Sequence, residues 1–398
     1  MNIIYYCDEY PPYKTGGIGS VTQIVAEELV RKGHHVFVVG YYPDGKKGIF
    51  CENINGVVVY RLNLGYRLGL IKHILFLTVY KLGLSHLYIQ REVDFTEMFI
   101  QSLVEKHAVD LIEFPDYYDF TRYSKREVKF RKFSVPVVLR IHGSVSFMYH
   151  LQGEDKAWIK MNDQLHFQRC NQISAVSHYS LQYVCSNFTL DPVVDKKVVY
   201  NPVEDSFLCK SSPSDHKRIL FIGKLIETKG CYSLLKAFNT VATESKYKDW
   251  ELIMIGNGNQ QQALSYVSTS VRNRVHFLGF CDRERIKKEI DSCAFACVPT
   301  YFENFSMVAL EIMGRGKALI FTERTSGNEV IENGKDGLLV NPEDIPGISK
   351  SIKALIDDIQ QRNFMADRAF QKVKNNFSVS AIIVKMEKLY NDLIDKFK

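Results

Sequence analysis

The sequence predicts an α/β protein with two doubly wound domains of mostly parallel sheet. Three observations predict it. Short apolar runs alternate with helical stripes through both halves of the chain, the pattern of successive β/α units. Many of those runs end in Gly or polar residues, as strands do at the edge where such folds bind ligands. The polar segment Lys210-Ser211-Ser212-Pro213-Ser214-Asp215-His216 has no apolar period and divides the halves. A chain of 398 residues is long enough for each half to bury its own core.

In the first half, Asn2–Cys7 reads as a strand. Val21, Ile24, Val25, Leu29 and Val30 then form one helical stripe over Gly19–Lys32, stopped by Gly33. Val36–Val39, Val57–Tyr60, Asp110–Phe114, Pro136–Ile141, Ile173–Val176 and Lys197–Tyr200 read as further strands. In the second half the strands are Ile219–Ile222, Glu251–Ile255, Val275–Leu278, Phe295–Val298 and Ala318–Phe321, with a helix from Tyr232 to Glu244 after the first. Ligands of doubly wound sheets bind outside the strand C-termini, so a cleft between two facing domains is the expected site.

Composition narrows the function classes. A hydrophobic share of 46% and a charged share of 24% describe a soluble globular chain. The net charge of +6 suits an anionic ligand or an acidic membrane surface, and no basic block argues for nucleic acid. The nine cysteines are odd in number and form no C-x-x-C, which points to a reducing, cytoplasmic compartment. Cys293 and Cys297 fall in an apolar run and read as core. The first residues read as a strand rather than a signal peptide, and no apolar run is long enough to span a bilayer. Residues 61–91 stand apart: Leu, Ile, Phe and Tyr mix with Arg61, Arg67, Lys72, Lys81 and Arg91, without one Asp or Glu. Two readings are open, an apolar helix lying in a membrane interface or a core helix with a basic solvent face.

The chemistry concentrates in a few loops. After the apolar run Phe295–Val298 comes Pro299, a polar loop, and a helical pattern that carries Glu303 and Glu311 to either side of the junction. A loop opening into a helix offers unpaired amides and the positive end of the helix dipole, a place for phosphate. Carboxylates beside it can accept from sugar hydroxyls. Gly223-Lys224-Leu225-Ile226-Glu227-Thr228-Lys229-Gly230 joins a strand to a helix and puts two ammonium groups at the same kind of edge; the alternative is a solvated loop. Gly16-Gly17 follows strand one and reads either as a ligand-contacting loop or as a tight turn. His142, at the end of Pro136–Ile141, reads either as a hydrogen-bonding partner of a sugar or as a structural side chain. Gln261 stands where the third glycine of a dinucleotide fingerprint would follow Gly256 and Gly258, so NAD is not expected.

Together these elements resemble the retaining glycosyltransferases of GT-B fold known as family 4. Glu303 and Glu311 match its E-x7-E signature, 223–230 its G-R-x4-K-G element, and Asn201-Pro202-Val203-Glu204 its N-G-V-D turn. Gly16-Gly17 is similar to its glycine loop, Val275-His276-Phe277-Leu278-Gly279 to its V-x-F-x-G strand, and 334–340 to its D-G-x-x-G-L-L-V segment. The resemblance implies a fold of two Rossmann-like domains facing across a cleft: 1–209 for the acceptor, 210–377 for the nucleotide sugar, and a helix over 378–398 returning to the first. It implies that Glu311 binds the donor ribose and Glu303 the transferred sugar. It implies further that amides of Asn304, Phe305, Ser306 and Met307 hold the diphosphate with Lys224 and Lys229, and that His142 lies near donor sugar and acceptor. Lys224 replaces the family's Arg and cannot make the planar two-pronged contact of a guanidinium; Arg315 is a candidate to compensate.

The expected catalytic set is thus His142, Lys229 and Glu303. No cofactor is expected; the donor is a nucleotide sugar, UDP favoured, and the acceptor a glycan or lipid-linked saccharide. The chain holds no D-x-D motif, so lysines and a helix dipole are expected to carry the leaving-group charge without metal. Retention by front-face attack is implied by the family alone. Peripheral contact at the inner membrane face through 61–91 is part of the same expectation. The competing readings are a UDP-sugar epimerase, a pyridoxal phosphorylase and a non-catalytic binding protein on the same scaffold.

Overall fold

The computed structural model describes the whole chain except 14–15, 44, 67–69, 152 and 213–215, and except the side chains of 70–73 and 119. It falls into two compact units, one of Met1–Pro202 with Ile382–Lys398, the other of Val203–Ala381.

The first unit holds eight strands: β1 (Asn2–Tyr6), β2 (His35–Tyr41), β3 (Gly48–Ile54), β4 (Val57–Asn63), β5 (Leu111–Pro115), β6 (Val137–Ile141), β7 (Gln172–Ala175) and β8 (Asp195–Val198). They lie in the order β3-β4-β2-β1-β5-β6-β7-β8. All pair in parallel except β3, which runs antiparallel beside β4 at the sheet edge. β1, β5 and β6 are buried nearly throughout, as central strands covered on both faces must be. β3 is exposed along its length, and no apolar run marks it in the sequence.

The second unit holds β9 (Arg218–Ile222), β10 (Glu251–Ile255), β11 (Val275–Gly279), β12 (Phe295–Val298), β13 (Ala318–Thr322) and β14 (Leu338–Val340). The order is β11-β10-β9-β12-β13-β14, all parallel. Counted within the unit this is the 3-2-1-4-5-6 order of doubly wound folds, whose direction of winding reverses between the first and fourth strands. Here that switch point lies between β9 and β12. Cys293 and Cys297 are buried as expected, and all nine cysteines are free thiols.

The units divide at Pro202–Val203, ahead of the expected break at 209–210. The intervening residues are stitched to the second unit: the Val203 amide donates to Phe377 O at 2.8 Å, and Ser211 N to Arg315 O at 3.0 Å. Phe207 is buried there. Of the polar segment expected as a linker, 213–215 lie outside the described residues. The last helix, Val379–Phe397, passes from the second unit into the first at Ala381–Ile382. In the first unit Tyr390 reaches Tyr5 Oη at 2.9 Å and donates to Glu113 Oε2 at 2.7 Å. Glu387 pairs there with Lys32 and His34.

Residues 61–91 are not one helix. Arg61 ends in β4, donating to Tyr10 O and Pro11 O and lying over the Tyr42 ring at 4.8 Å. Two helices follow, Leu70–Lys81 and Ser85–His107. Gly83, at φ +73°, allows the turn between them. Arg67 and the side chain of Lys72 lie outside what is described.

Candidate functional site

In the second unit the loop after β9 and the loop after β12 meet at the switch point. Tyr301 N and Thr300 Oγ1 both donate to Thr228 O at 3.0 Å. Gly230 makes the approach possible. It has φ +72°, and a Cβ there would lie 1.9 Å from Pro299 O, so only glycine fits. The meeting of the loops brings Lys229 and Glu303 together, with Nζ to Oε2 at 2.7 Å. Both remain partly exposed. Lys224, on the same loop, is exposed.

The helix Met307–Gly314 begins beside this pair. Ser306 is its N-cap, and its Oγ accepts from Ala309 N at 3.3 Å. The side chain is therefore used within the helix, and by helix geometry the amides of Met307 and Val308 have no partner inside it. Phe305 is buried, its ring 5.6 Å from that of Phe377, which anchors the loop. The site thus presents an ammonium, a carboxylate and a helix N-terminus, a combination able to hold a phosphate and a hydroxylated ligand together.

Glu311 lies one turn further along, 9% exposed. Burial, with Glu204 adding to it, raises its carboxyl to about 7 against the opposing pull of Arg283. Arg283 Nη2 lies 3.5 Å from Glu311 Oε1 and 2.6 Å from Glu204 Oε2. Its guanidinium is 5.1 Å from the centre of the Phe207 ring. Arg283 was not among the expected residues. It opens the helix after β11, and a cation just past a strand's C-terminus was the signal that marked Lys224 and Lys229. Arg315, the expected substitute for a family arginine, lies at the far end of Met307–Gly314. Its guanidinium is held there by Asp291, with Nε at 2.8 Å from Oδ1. It is unavailable to the helix N-terminus.

In the first unit, His142 follows β6. Burial and then Arg140 lower its imidazole to about 3, so the ring is neutral and can donate one N–H and accept once. Its backbone is fixed by Asp116, whose carboxylate accepts from His142 N at 2.7 Å and Gly143 N at 3.0 Å. Burial, with Asp163 adding to it, raises Asp116 to about 8. Asp163 accepts from Ser146 N at 2.9 Å and is itself raised by burial to about 6. Neither acid was expected. At Gly16 a Cβ would meet the Glu9 carboxyl at 2.3 Å, whereas at Gly17 nothing lies within 4 Å. Packing accounts for the first glycine, and space for a ligand exists at the second. In the same unit an open cavity is lined by Tyr6, Asp8, Tyr41, Glu92, Phe114 and Tyr118 among others. It sits at the C-terminal ends of β1, β2 and β5.

Comparison with known proteins agrees with this picture. Residues 15–207 match the model of Glycosyltransferase Family 4, and 216–358 that of Glycosyl transferases group 1. An uncharacterized glycosyltransferase of Methanocaldococcus jannaschii is 28% identical over 95% of each chain. Sucrose-phosphate synthase of Thermosynechococcus elongatus superposes with a TM-score of 0.76, at 16% identity and 99% coverage of both chains. HepE of Anabaena, solved with UDP and glucose, superposes with a TM-score of 0.67 at 16% identity, over 98% of this chain and 100% of its own. The structural likenesses show the fold, which is GT-B.

Proposed function

The chain belongs to the family 4 (group 1) glycosyltransferases, and on that premise we propose that it is a retaining, metal-independent enzyme. It moves a sugar from a UDP-sugar to a glycan or lipid-linked acceptor in cell-surface polysaccharide synthesis. The observation that carries the reading is the Lys229–Glu303 pair beside the N-terminus of Met307–Gly314.

Cleavage of the bond from anomeric carbon to phosphate leaves negative charge on the diphosphate. The Met307 and Val308 amides, the helix dipole, Lys229 and the exposed Lys224 would take it up. Glu303 would then accept from hydroxyls of the transferred sugar, and Glu311 from the ribose, displacing Arg283. The acceptor hydroxyl would attack on the face the diphosphate leaves, with a donor phosphate oxygen taking its proton, which retains the anomeric configuration. The neutral His142 would hydrogen-bond donor sugar or acceptor without adding charge. The cavity at β1, β2 and β5, with Tyr6, Phe114 and Tyr118 along it, suits the apolar face of a saccharide acceptor, with Glu92 and Asp8 for its hydroxyls. The same reading places the chain in the cytoplasm, peripheral at the membrane through 61–91.

A thermal-shift series of nucleotide sugars tests it. A UDP-sugar should raise the melting temperature by mass action, equally with and without EDTA, and turnover should require an acceptor. Stabilisation by no nucleotide sugar, turnover abolished by chelation, or product formed without acceptor would each refute it.

A further inference from the structure

We infer that the outer surface of the Leu70–Lys81 helix, its turn and the segment 124–133 is a docking face for an anionic lipid bilayer. This deepens the peripheral-contact part of the reading above. Ile74, Leu75, Leu77, Leu82, Leu84 and Leu87 are each between 39% and 69% exposed. An apolar patch of this kind on a soluble chain marks an interaction surface. Beside it, the segment 124–133 holds Lys125, Arg126, Lys129, Arg131 and Lys132 against the single acid Glu127. All five cations are exposed, and among the described residues none forms an ion pair with a carboxylate.

The two features are one rigid piece. Val128 is buried with Phe76, Ile89 and Val93, and Phe130 packs on that cluster, which leaves Lys129 between them exposed. Lys129 exchanges backbone hydrogen bonds with the Gln90 amide at 2.8 and 2.9 Å, one helical turn from Leu87. Lys125 Nζ lies 5.5 Å from the centre of the Tyr80 ring. The cations therefore border the leucines. Leucine tips that enter the acyl boundary and a basic border that meets anionic headgroups are the two components of interfacial binding. A nucleic acid would use the cations and leave the aliphatic patch in water, so the pairing favours a bilayer. Among the described residues no helix is long and apolar enough to cross one, so the contact is lateral.

The test is co-sedimentation of the full chain with vesicles of phosphatidylglycerol and phosphatidylcholine in equal parts, against phosphatidylcholine alone. The expected result is binding to the anionic vesicles only, weakened by salt. Two variants follow, one joining K125Q, R126Q, K129Q, R131Q and K132Q, the other L75S, L82S and L87S. Each should lower partitioning at least about tenfold with an unchanged melt. Wild-type protein left in the supernatant at low salt overturns the inference. So does a leucine variant that binds as wild type while the charge variant does not, since that marks a polyanion site. Should a variant melt early, the lipid and salt dependence of the wild type decides alone. No nucleotide sugar is present, so failure here leaves the transfer reading intact, and failure of transfer leaves this result standing.

Discussion

Lys229 and Glu303 are 74 residues apart in the chain, yet their charged atoms are 2.7 Å apart. The two loops that carry them meet because Gly230 lets the backbone of one lie against Pro299 of the other. Each charge satisfies the other, and a nucleoside diphosphate sugar would separate them, giving phosphate to the lysine and hydroxyls to the carboxylate.

Lys229→Ala should lower kcat by about 10²–10³, the loss seen when one preorganised donor is removed from a developing anion. The fold should survive, because a partly exposed ion pair contributes at most about 1 kcal/mol. Steady-state rates beside a melting curve check this, and a variant keeping more than about a tenth of the rate contradicts the assignment.

Glu311→Gln should weaken UDP binding by about 10–100-fold, the worth of a hydrogen bond to a charged acceptor. Its carboxyl is raised to about 7, above its unfolded value near 4.3. The folded state therefore holds that proton more tightly, and this part of the stability is lost as pH rises from about 4 through 7. The glutamine variant should lose that part of the slope. Calorimetric titration with UDP at pH 6 and 8 reads the first effect; an unchanged affinity would remove Glu311 from the nucleotide site.

Asp116→Asn separates positioning from titration. The amide oxygen can still accept from His142 N and Gly143 N, but the group raised to about 8 is gone. Its stabilising contribution is complete below about pH 4 and fades as pH climbs through 8. The variant's melting temperature should fall less steeply over that range than the parent's. Identical slopes would mean that the buried acid does not titrate there.

Tyr390→Phe removes the hydroxyl that donates to Glu113 and touches Tyr5. A buried carboxylate loses a donor, which costs about 1–3 kcal/mol. Urea denaturation should show that loss while UDP affinity, which the proposed reading assigns to the other unit, stays constant. A shift below about 0.5 kcal/mol would show that Arg140 and the remaining contacts suffice for Glu113.

Much of this architecture was legible because its strands are buried on both faces. β9, β10, β12 and β13 appear in the sequence as apolar runs close to their observed bounds. β3 was invisible because its residues face solvent at an edge, and edge strands carry no burial pattern. The division of residues 61–91 into two helices was not legible, because the absence of acids is a property of composition, whereas the turn at Gly83 depends on how two helices pack over Phe76 and Ile89. The basic run at 124–133 was passed over: its cations are interleaved with Val128 and Phe130, which are turned inward. Motifs located Lys229, Glu303 and Glu311. They gave no hint of Arg283 or Asp116, whose contacts are with neighbours distant in sequence.

The passage of the final helix back into the first unit bears on synthesis. That unit includes Ile382–Lys398, so on the ribosome Glu113 lacks its Tyr390 partner until residues 203–381 have already emerged. The second unit is continuous from Val203 to Ala381 and faces no such delay. Nascent-chain proteolysis should therefore find the later-made lobe resistant first, reversing the usual order of vectorial folding.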